Sequence, residues 1–532
     1  MRQRTNSFAM VSFVLTAFAC GALQLLAGES DFAKVAQEID RRLADHWQSK
    51  NITPAKQADD ATLLKRLTLD LTGRIPTRTE WEVRLQDGKP LVDRWPALVQ
   101  ELMTGPEFPL HYGAVLEEML QGSAAGNADF TDYLRTSLRS GKRWDAIFRE
   151  LMIGPWDVAE RKPATKFLEI RAKDLDRLTT DTTRVFFGVD VSCARCHDHP
   201  LVADWKQDHY YGMASFFNRT SGGKGSISEK TEGDVTFKGS DGSQQTARVM
   251  FLSGSLAADP PALDGKKPKV SRREQLVTLA LTEQRFFSRS FVNRVWQQVF
   301  GRGLIDPVDQ MHSANPASVP GLLEWLADDF VNSGYDIQRL IGGLVSSRAY
   351  RLSSQWETLS PVPDESDFAV RRVSPLSPRQ YAFSVLVATG RASFAEPSAL
   401  EQRAEKLAGS KGSHRVEQYL AAEQQAAALL PHLDPVQDGL TSAAEALYLS
   451  NNVATQKVVA ADEGTVTSRL VVEKDNRAIA AAAIRAIYCR APRSGEIDQL
   501  AAWLSQSNAG LPQTCEQLVW ALITSAEFRF KH

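Results

Sequence analysis

The chain has 532 residues, of which 43% are hydrophobic and 24% are charged. This composition is ordinary for a packed protein and excludes a wholly disordered chain. Lys and Arg total 62 against 64 Asp and Glu, a formal charge of −2, so no global field draws the protein to nucleic acid or to an anionic membrane. Five cysteines in a chain of this length exclude a small fold stapled by disulfides.

The amino terminus has the pattern of a secretory signal peptide, which we predict over residues 1–28. A basic start at residues 1–4 precedes an apolar run over residues 8–26, and the first acidic residue is Glu29. This order is typical of exported proteins. A retained membrane anchor and a lipoprotein acylated at Cys20 are the alternatives. We expect cleavage, and a mature protein in the periplasm or cell envelope without a membrane span.

Beyond the signal, the pattern predicts a mainly α protein of two helical domains with a small β-hairpin element between them. In the first domain, residues 31–220, an early apolar stripe recurs at spacings of three and four: Phe32, Val35, Ile39 and Leu43. Residues 221–270 are rich in Gly, Ser and Pro and contain a hairpin turn at 239–242. The second helical domain covers residues 271–532.

One short cluster carries most of the functional signal, Cys193-Ala194-Arg195-Cys196-His197. With five cysteines and nine histidines in 532 residues, chance places a Cys-x-x-Cys-His in such a chain with odds of roughly one in a thousand. In an exported chain this spacing is the attachment signature of c-type haem. Two thiols add to the haem vinyl groups, and the adjacent imidazole binds the iron. The pattern predicts attachment at Cys193 and Cys196, with His197 as the proximal ligand.

The segment after the cluster supplies two candidates for the sixth iron position, His209 and Met213. Either would serve if the next helix folded back over the haem ring. His199 is only two residues from His197 and is not expected to reach the opposite face. A group of aromatic residues follows the cluster. They could line a flat cofactor, but we favour a role in the hydrophobic core. They are Trp205, Tyr210, Tyr211, Phe216 and Phe217.

Three other interpretations of the cluster stay open. A Cys193–Cys196 disulfide needs only an oxidising compartment. A zinc site could use the two cysteines with His197, His199 or His209, which are acceptable ligands for that metal. The simplest alternative is a turn at the end of a helix, in which Asp198 and His199 bond to the backbone.

The motifs resemble a known pair of domains. Similarity to the planctomycete cytochrome-like domain DUF1549 (PSCyt2) is carried by Ala58-Asp59-Asp60, Asp70-Leu71-Thr72-Gly73-Arg74-Ile75-Pro76 and Cys193-Ala194-Arg195-Cys196-His197-Asp198-His199-Pro200. Similarity to its usual partner, DUF1553 (PSD1), is carried by Asn293-Arg294-Val295-Trp296, Phe300-Gly301-Arg302-Gly303-Leu304 and Asp306-Pro307-Val308-Asp309. The resemblance covers almost everything after the signal.

The resemblance implies an exported protein of a family typical of planctomycetes and related bacteria. Its label as cytochrome-like comes from the Cys-x-x-Cys-His, and its biochemical role is not established. Many relatives carry an additional amino-terminal cytochrome c domain, whereas this chain has no second Cys-x-x-Cys-His.

The second domain offers no catalytic signature. Five residues of its motif could form a polar site, but we favour a structural role for them, as caps of turns and as contacts between helices. They are Asn293, Arg294, Trp296, Asp306 and Asp309. Cys489 and Cys515 are explained about equally well as a disulfide pair and as two buried thiols.

The leading hypothesis is an exported c-type haem-binding protein with a redox or electron-transfer role and a periplasmic redox partner. The second is a cofactor-free envelope protein that binds glycan or protein, with the cysteines locked as a disulfide turn. The third is a metal-dependent hydrolase using His197, Asp198 and His199 together with Asp204 or Asp208. The sequence leaves open whether the protein is an enzyme.

Overall fold

The computed structural model describes residues 31–85, 88–122, 125–199, 202–223, 226–239, 242–259, 271–358, 360–392, 394, 413–429, 452–473 and 475–532. The predicted signal peptide, residues 1–28, lies outside these ranges. The prediction of a mainly α protein is confirmed, because 60% of it is helical and the described strands form only two-stranded sheets. Within the described residues, no helix has the length and apolar character needed to cross a membrane.

The helices described before residue 220 are mostly short. They are α1 (Asp31–Ser49), α2 (Asp60–Thr72), α3 (Arg78–Leu85), α4 (Trp95–Thr104), α5 (Glu107–Gln121), α6 (Ala128–Arg139), α7 (Trp144–Ile153), α8 (Lys166–Glu169), α9 (Leu175–Phe187) and α10 (Gln207–Phe217). Single 3₁₀ turns lie at Leu91–Arg94, Lys162–Thr165 and Ser192–Arg195.

Helix α2 shows how local sequence sets these boundaries. The Asp59 side chain accepts a hydrogen bond from the Thr62 amide at 2.9 Å and caps the amino end. Gly73 ends the helix in the left-handed region at φ 77°, where glycine has no steric penalty. Helix α2 therefore ends at Thr72, with Gly73 as its carboxyl-terminal cap.

Three β-hairpins follow helix α10. The strands are β1 (Thr220–Gly223), β2 (Ser226–Glu229), β3 (Thr236–Lys238), β4 (Gln244–Thr246), β5 (Val249–Met250) and β6 (Leu256–Ala257), paired antiparallel in sequence order. The predicted turn at 239–242 joins β3 to β4, and the Gly239 amide donates to the Ser243 carbonyl at 2.9 Å. Ser240 and Asp241 lie outside the described residues, as do residues 260–270 of the predicted linker.

Helices resume at Ser271 and continue to the end of the chain. They are α11 (Arg272–Glu283), α12 (Arg285–Phe300), α13 (Leu322–Asn332), α14 (Ile337–Ser346), α15 (Pro378–Thr389), α16 (Ser413–Ala427), α17 (Val453–Val459), α18 (Val466–Val471), α19 (Asn476–Tyr488), α20 (Glu496–Gln506), α21 (Leu511–Ile523) and α22 (Ala526–Arg529). Two 3₁₀ turns, Ala349–Arg351 and Glu365–Asp367, and the paired strands β7 (Ser374–Pro375) and β8 (Phe530–Lys531) complete the described elements.

The two halves of the chain pack together in two hydrophobic clusters, and each cluster contains residues from both halves. Buried side chains from Val35 to Ala369 form a single cluster, which therefore includes α11 to α14. Helix α14 lies so close to α1 that a Cβ atom on Gly343 would overlap the Val35 side chain. A second cluster runs from Leu376 to Phe528 and includes three residues of the first half, Leu69, Ile75 and Leu110.

Buried ion pairs join the second cluster to the first half. Arg74, between α2 and α3, pairs with Glu80 at 2.8 Å and with Glu107 at 2.9 Å. Arg415 of α16 reaches the same two carboxylates. The four charges alternate in sign, so each carboxylate has two guanidinium partners.

The two cysteines of the second half are free thiols, both buried. The Cys489 thiol donates to the Pro76 carbonyl at 3.3 Å. Burial raises the pKa of Cys489 to about 12 and that of Cys515 to about 11. These thiols stay protonated at neutral pH, which makes them inert packing groups.

Candidate functional site

A sharp turn after helix α9 carries the chain into the cysteine cluster. Gly188 lies at φ 67°, and its amide donates to the Arg184 carbonyl at 3.1 Å. A Cβ atom at Gly188 would lie 2.7 Å from the Met311 sulfur. Both the backbone angle and the close packing therefore require glycine at this position.

The cluster itself is a single 3₁₀ turn, Ser192–Arg195, that presents its thiols to solvent. Ala194 points inward and is fully buried, whereas Cys193 and Cys196 are exposed free thiols. The Asp190 carboxylate accepts a hydrogen bond from the Ser192 amide at 2.9 Å and anchors the start of the turn. The turn thus has one apolar attachment to the core and two reachable sulfur atoms.

His197 follows the turn with an exposed side chain. Its Nδ1 lies 2.7 Å from the carbonyl oxygen of Asp198. Because a carbonyl oxygen only accepts, Nδ1 carries the proton and donates this hydrogen bond. Nε2 is then the ring nitrogen with a lone pair for a metal ion, which is the tautomer that metal-bound histidines use.

Hydrogen bonds close the loop that follows. The Asp198 carboxylate accepts from the Gln207 amide at 3.0 Å, and the Gln207 side-chain amide donates to the Cys196 carbonyl at 3.1 Å. His199 is half-buried, and its Nδ1 accepts from the Val202 amide at 3.1 Å. Gln207 therefore ties the cysteine turn to the start of helix α10, and one nitrogen of His199 is engaged within the loop.

The two predicted distal ligands lie on α10, the helix that packs against the cysteine turn. His209 Nδ1 accepts from the Lys206 amide at 3.1 Å, its ring meets Trp205 edge-on, and burial lowers its pKa. Met213 is fully buried within the first core cluster. The structure brings Cys193, Cys196 and His197 together on one turn and leaves Met213 in the interior.

We expect Met213→Ala to destabilise the protein by about 2–5 kcal/mol, the usual cost of truncating a buried methionine. Urea unfolding followed by circular dichroism measures the change in the free energy of unfolding. Lys206→Ala, at the exposed position directly before α10, provides a control that we expect to change stability by less than about 0.5 kcal/mol. A change of that small size for Met213→Ala would contradict its placement in the core.

The aromatic residues after the cluster divide between the core and its edge. Trp205, Tyr210, Phe216 and Phe217 are buried core residues. Tyr211 is only partly buried and stacks on Phe237 of strand β3 with ring centroids 4.1 Å apart. The predicted core role is therefore correct for four of the five.

A carboxylate on helix α9 organises the surface next to the turn. The Arg195 guanidinium lies 2.6 Å from Asp176, and the Tyr210 hydroxyl donates to the same carboxylate. Among the described residues, no group of three or more His, Cys, Asp or Glu side chains is arranged to hold a metal ion. Metal binding by His197 and His199 stays a prediction.

Two family models match the sequence, in the order that its motifs indicate. One, PSCyt2, described as a protein of unknown function (DUF1549), matches residues 38–222. The other, PSD1, described as a protein of unknown function (DUF1553), matches residues 272–504. The chain belongs to the DUF1549–DUF1553 proteins. A search of curated proteins and a search of solved structures each returned no match.

The cysteine loop of the DUF1549 domain is held by a segment of the DUF1553 domain. The Asp190 amide donates to the Asp309 carbonyl at 2.9 Å, and the Met311 amide donates to the Gly188 carbonyl at 3.0 Å. On the other side of the loop, the Ser313 hydroxyl donates to the Asp204 carboxylate at 2.6 Å. The loop is therefore fixed at both its ends by residues 309–313.

The motif around Asn293 in the DUF1553 domain makes structural contacts. Asn293 is fully buried; its side-chain amide donates to the Ile305 carbonyl at 2.7 Å and its oxygen accepts from the Ile305 amide at 3.0 Å. Arg294 donates to the Arg184 carbonyl at 2.6 Å. Trp296 stacks on Phe300 with ring centroids 4.2 Å apart. These contacts agree with the structural interpretation of the motif.

Sequence reasoning did not anticipate Asp176, Gln207 or Ser313 as supports of the loop. Asp176 lies on a helix face among other acids, and Gln207 has no motif of its own. Ser313 is more than a hundred residues from Asp204, so periodicity holds no signal for the pair. The one local signal was Asp306-Pro307-Val308-Asp309, which precedes the segment that reaches the loop.

Proposed function

We propose that this protein is a c-type haem protein with a redox role outside the cytoplasm. In this proposal, Cys193 and Cys196 form the two thioether bonds to the haem, and His197 is the proximal ligand of the iron. Bound haem would supply a one-electron couple, the chemistry on which electron transfer depends. The chain's own contribution is to present two thiols and one imidazole from a fixed turn.

The state of His197 is the observation that carries the proposal. A proximal histidine must keep one ring nitrogen for the iron and is oriented through the other. The hydrogen bond from Nδ1 to the Asp198 carbonyl meets this requirement within the apoprotein.

The exposure of the two thiols supports covalent attachment. Thioether formation requires that both sulfur atoms be reachable by a large planar molecule, and Cys193 and Cys196 are exposed. Cys489 and Cys515, by contrast, are both buried. Among the described cysteines, exposure therefore distinguishes the two cysteines of the cluster. The buried methyl of Ala194 keeps the turn anchored between the two thiols.

An aromatic side chain lies on helix α10, which packs against the cysteine turn. Tyr211 is partly buried and stacks on Phe237 with ring centroids 4.1 Å apart. Burial raises the pKa of Tyr211. The proposal needs only His197 as an axial ligand, since His209 is engaged with the Lys206 amide and Met213 is packed in the core.

Expression of the full chain in a host that matures c-type cytochromes tests the proposal. We expect a coloured protein whose Soret band stays with the polypeptide after acid–acetone extraction, because thioethers resist conditions that remove haem b. Mass spectrometry of the same sample is expected to show the added mass of one haem on the peptide that contains Cys193 and Cys196. It also reports whether residues 1–28 have been removed, as export predicts.

A colourless product with the mass of the bare polypeptide would contradict the proposal. A Cys193–Cys196 disulfide in the exported protein would also contradict it, because a disulfide and two thioethers cannot share the same sulfur atoms. That second outcome would favour the cofactor-free envelope protein. Elemental analysis of the purified protein separates zinc from haem iron in the same preparation.

A further inference from the structure

A cavity of about 230 Å³ lies beside helix α2, among residues that do not belong to the cysteine loop. Its wall is formed by helix α2, by residues 353–355 and by the last helices of the chain. One water occupies about 30 Å³ in the liquid, so the cavity has room for a small polyatomic ligand. Its charged lining residues are Asp59, Lys65, Arg66, Arg490, Arg493, Glu527 and Lys531.

The lining carries an excess of positive charge. Five of these residues are cations and two are carboxylates, and both carboxylates are already engaged. Asp59 caps helix α2 through the Thr62 amide and hydroxyl, at 2.9 and 2.8 Å. Glu527 is shared by Arg490 and by Arg493, the latter at 3.3 Å.

Arg66 is the most deeply buried of these cations, with 1% of its surface exposed. Its guanidinium donates to the backbone carbonyls of Tyr350 and Leu352 and to a main-chain oxygen of His532, the last residue of the sequence. Its Nη2 group has no hydrogen-bond partner among the described residues. Burial lowers the pKa of Arg66 to about 9, and the nearby charge of Arg371 adds to this effect.

One side-chain carboxylate, that of Asp70, is buried near Arg66. It pairs with Lys531 at 2.6 Å and accepts from the Tyr350 hydroxyl at 2.8 Å. Arg371 lies 4.0 Å from the same carboxylate and has two nitrogens without a partner among the described residues. Arg66, Lys531 and Arg371 therefore share one buried side-chain carboxylate, and buried charge is costly when it is not paired.

Lys65 adds a further cation at the cavity. Its ammonium group donates to the Glu527 carbonyl at 3.0 Å, and burial lowers its pKa. Among the described residues, neither Lys65 nor Arg66 has a side-chain carboxylate within ion-pair distance, whereas Arg490 and Lys531 both do. The unmatched charge is thus concentrated on one side of the cavity, along helix α2.

We propose that this cavity binds a small oxyanion, such as phosphate, sulfate or a carboxylate, through Lys65, Arg66 and Arg493. An anion there supplies the negative charge and the acceptor oxygens that the buried guanidinium of Arg66 lacks. The hydroxyl groups of Ser353 and Ser354, which also line the cavity, are further donors to such a ligand. This inference is independent of haem binding, since none of its residues belongs to the cysteine loop.

Titration calorimetry on the full chain tests the proposal, with sodium phosphate, sodium sulfate and sodium acetate as probes at constant ionic strength in sodium chloride. We expect saturable binding of phosphate and sulfate, and weaker binding of acetate because it carries less charge. Lys65→Gln and Arg493→Gln are each expected to weaken binding about tenfold, the effect of losing one charge-assisted hydrogen bond. Arg493 is largely exposed, with 61% of its side chain accessible, so its replacement leaves folding intact.

Arg477→Gln is the matched control. Arg477 is also an exposed arginine in an ion pair, with Asp498, and it does not line the cavity. We expect this variant to bind phosphate as the unmodified protein does. Heats equal to dilution for all three anions, or an unchanged affinity in both cavity variants, would overturn the proposal. An equal loss of affinity in Arg477→Gln would show a general effect of charge and would overturn it as well.

Discussion

A Cys193→Ala, Cys196→Ala double variant is expected to lose all covalently bound haem while keeping the stability of the unmodified apoprotein. Both side chains are exposed thiols on a surface turn, so replacing them changes the free energy of unfolding by less than about 0.5 kcal/mol. Haem attachment, by contrast, is expected to be lost, because the other cysteines of the described residues, Cys489 and Cys515, are buried. Absorption after acid–acetone extraction measures the first effect, and urea unfolding of the haem-free proteins measures the second.

Cys515→Ala is the control for the loss of a thiol. Cys515 is buried in the second core cluster, so we expect this variant to keep its haem and to lose about 1 kcal/mol of stability because the smaller side chain leaves a cavity.

His197→Ala tests the other half of the proposal, the binding of the iron by the imidazole. It keeps both thiols but removes the proximal nitrogen, and an altered or weakened Soret band is expected. Retention of extraction-resistant haem in the double variant would contradict attachment at Cys193 and Cys196.

Replacing Arg74 by methionine is expected to destabilise the protein by about 3–5 kcal/mol, the usual result of breaking a buried ion pair. The Arg74 side chain is 2% exposed and lies between Glu80 and Glu107. Without Arg74, the carboxylates of Glu80 and Glu107 have only the guanidinium of Arg415 as a shared partner in this network. Because this network joins the second core cluster to the first half, thermal unfolding measured by calorimetry is expected to show the loss.

The pH dependence of this effect follows from the charge of Glu80. Burial alone would raise the pKa of Glu80, but Arg74 and Arg415 outweigh burial and hold that pKa well below its usual range. The carboxylate therefore contributes its full stability above its unfolded pKa of about 4.3, and this contribution is lost progressively as the pH falls from that value through the lower pKa of the folded state. In Arg74→Met the contribution is already reduced, so the difference in stability between the two proteins should shrink at low pH.

Arg78→Gln serves as the control for Arg74→Met. Arg78 makes an exposed ion pair with Glu82 on helix α3 at 2.7 Å, and such pairs contribute about 0–1 kcal/mol. We expect this variant to unfold close to the temperature of the unmodified protein. A similarly small change for Arg74→Met would mean that the buried network does not hold the two parts of the chain together.

Local sequence was sufficient for the helices and the hairpin region. Apolar residues at spacings of three and four predicted the early helices, and Asp59 and Gly73 mark the ends of α2 because capping depends on neighbouring residues alone. Gly239 and Gly242 flank the turn between β3 and β4 for the same reason. The division into domains at residues 221–270 stays a prediction, and the hydrophobic clusters divide instead near residue 370.

The candidate haem site could be predicted only in part. Cys193, Cys196 and His197 are adjacent in the chain, so their proximity needs no tertiary information. Their exposure, and the hydrogen bond that sets the His197 tautomer, depend on how the turn packs against α9 and α10. The burial of Met213 could not be predicted either, since the spacing that places a residue on a helix face does not say whether that face meets core or cofactor.

The amino-acid order by itself determined the helical class of this protein, its two-family motif pattern and the thiol–thiol–imidazole spacing, because each depends on residues a few positions apart. Tertiary structure alone decided which cysteines reach solvent, how residues 309–313 hold the cysteine loop, and that Arg66 and Lys65 line one cavity without a side-chain carboxylate paired to either. Burial and charge compensation depend on contacts between segments hundreds of residues apart, and a local sequence pattern does not predict which distant segments meet.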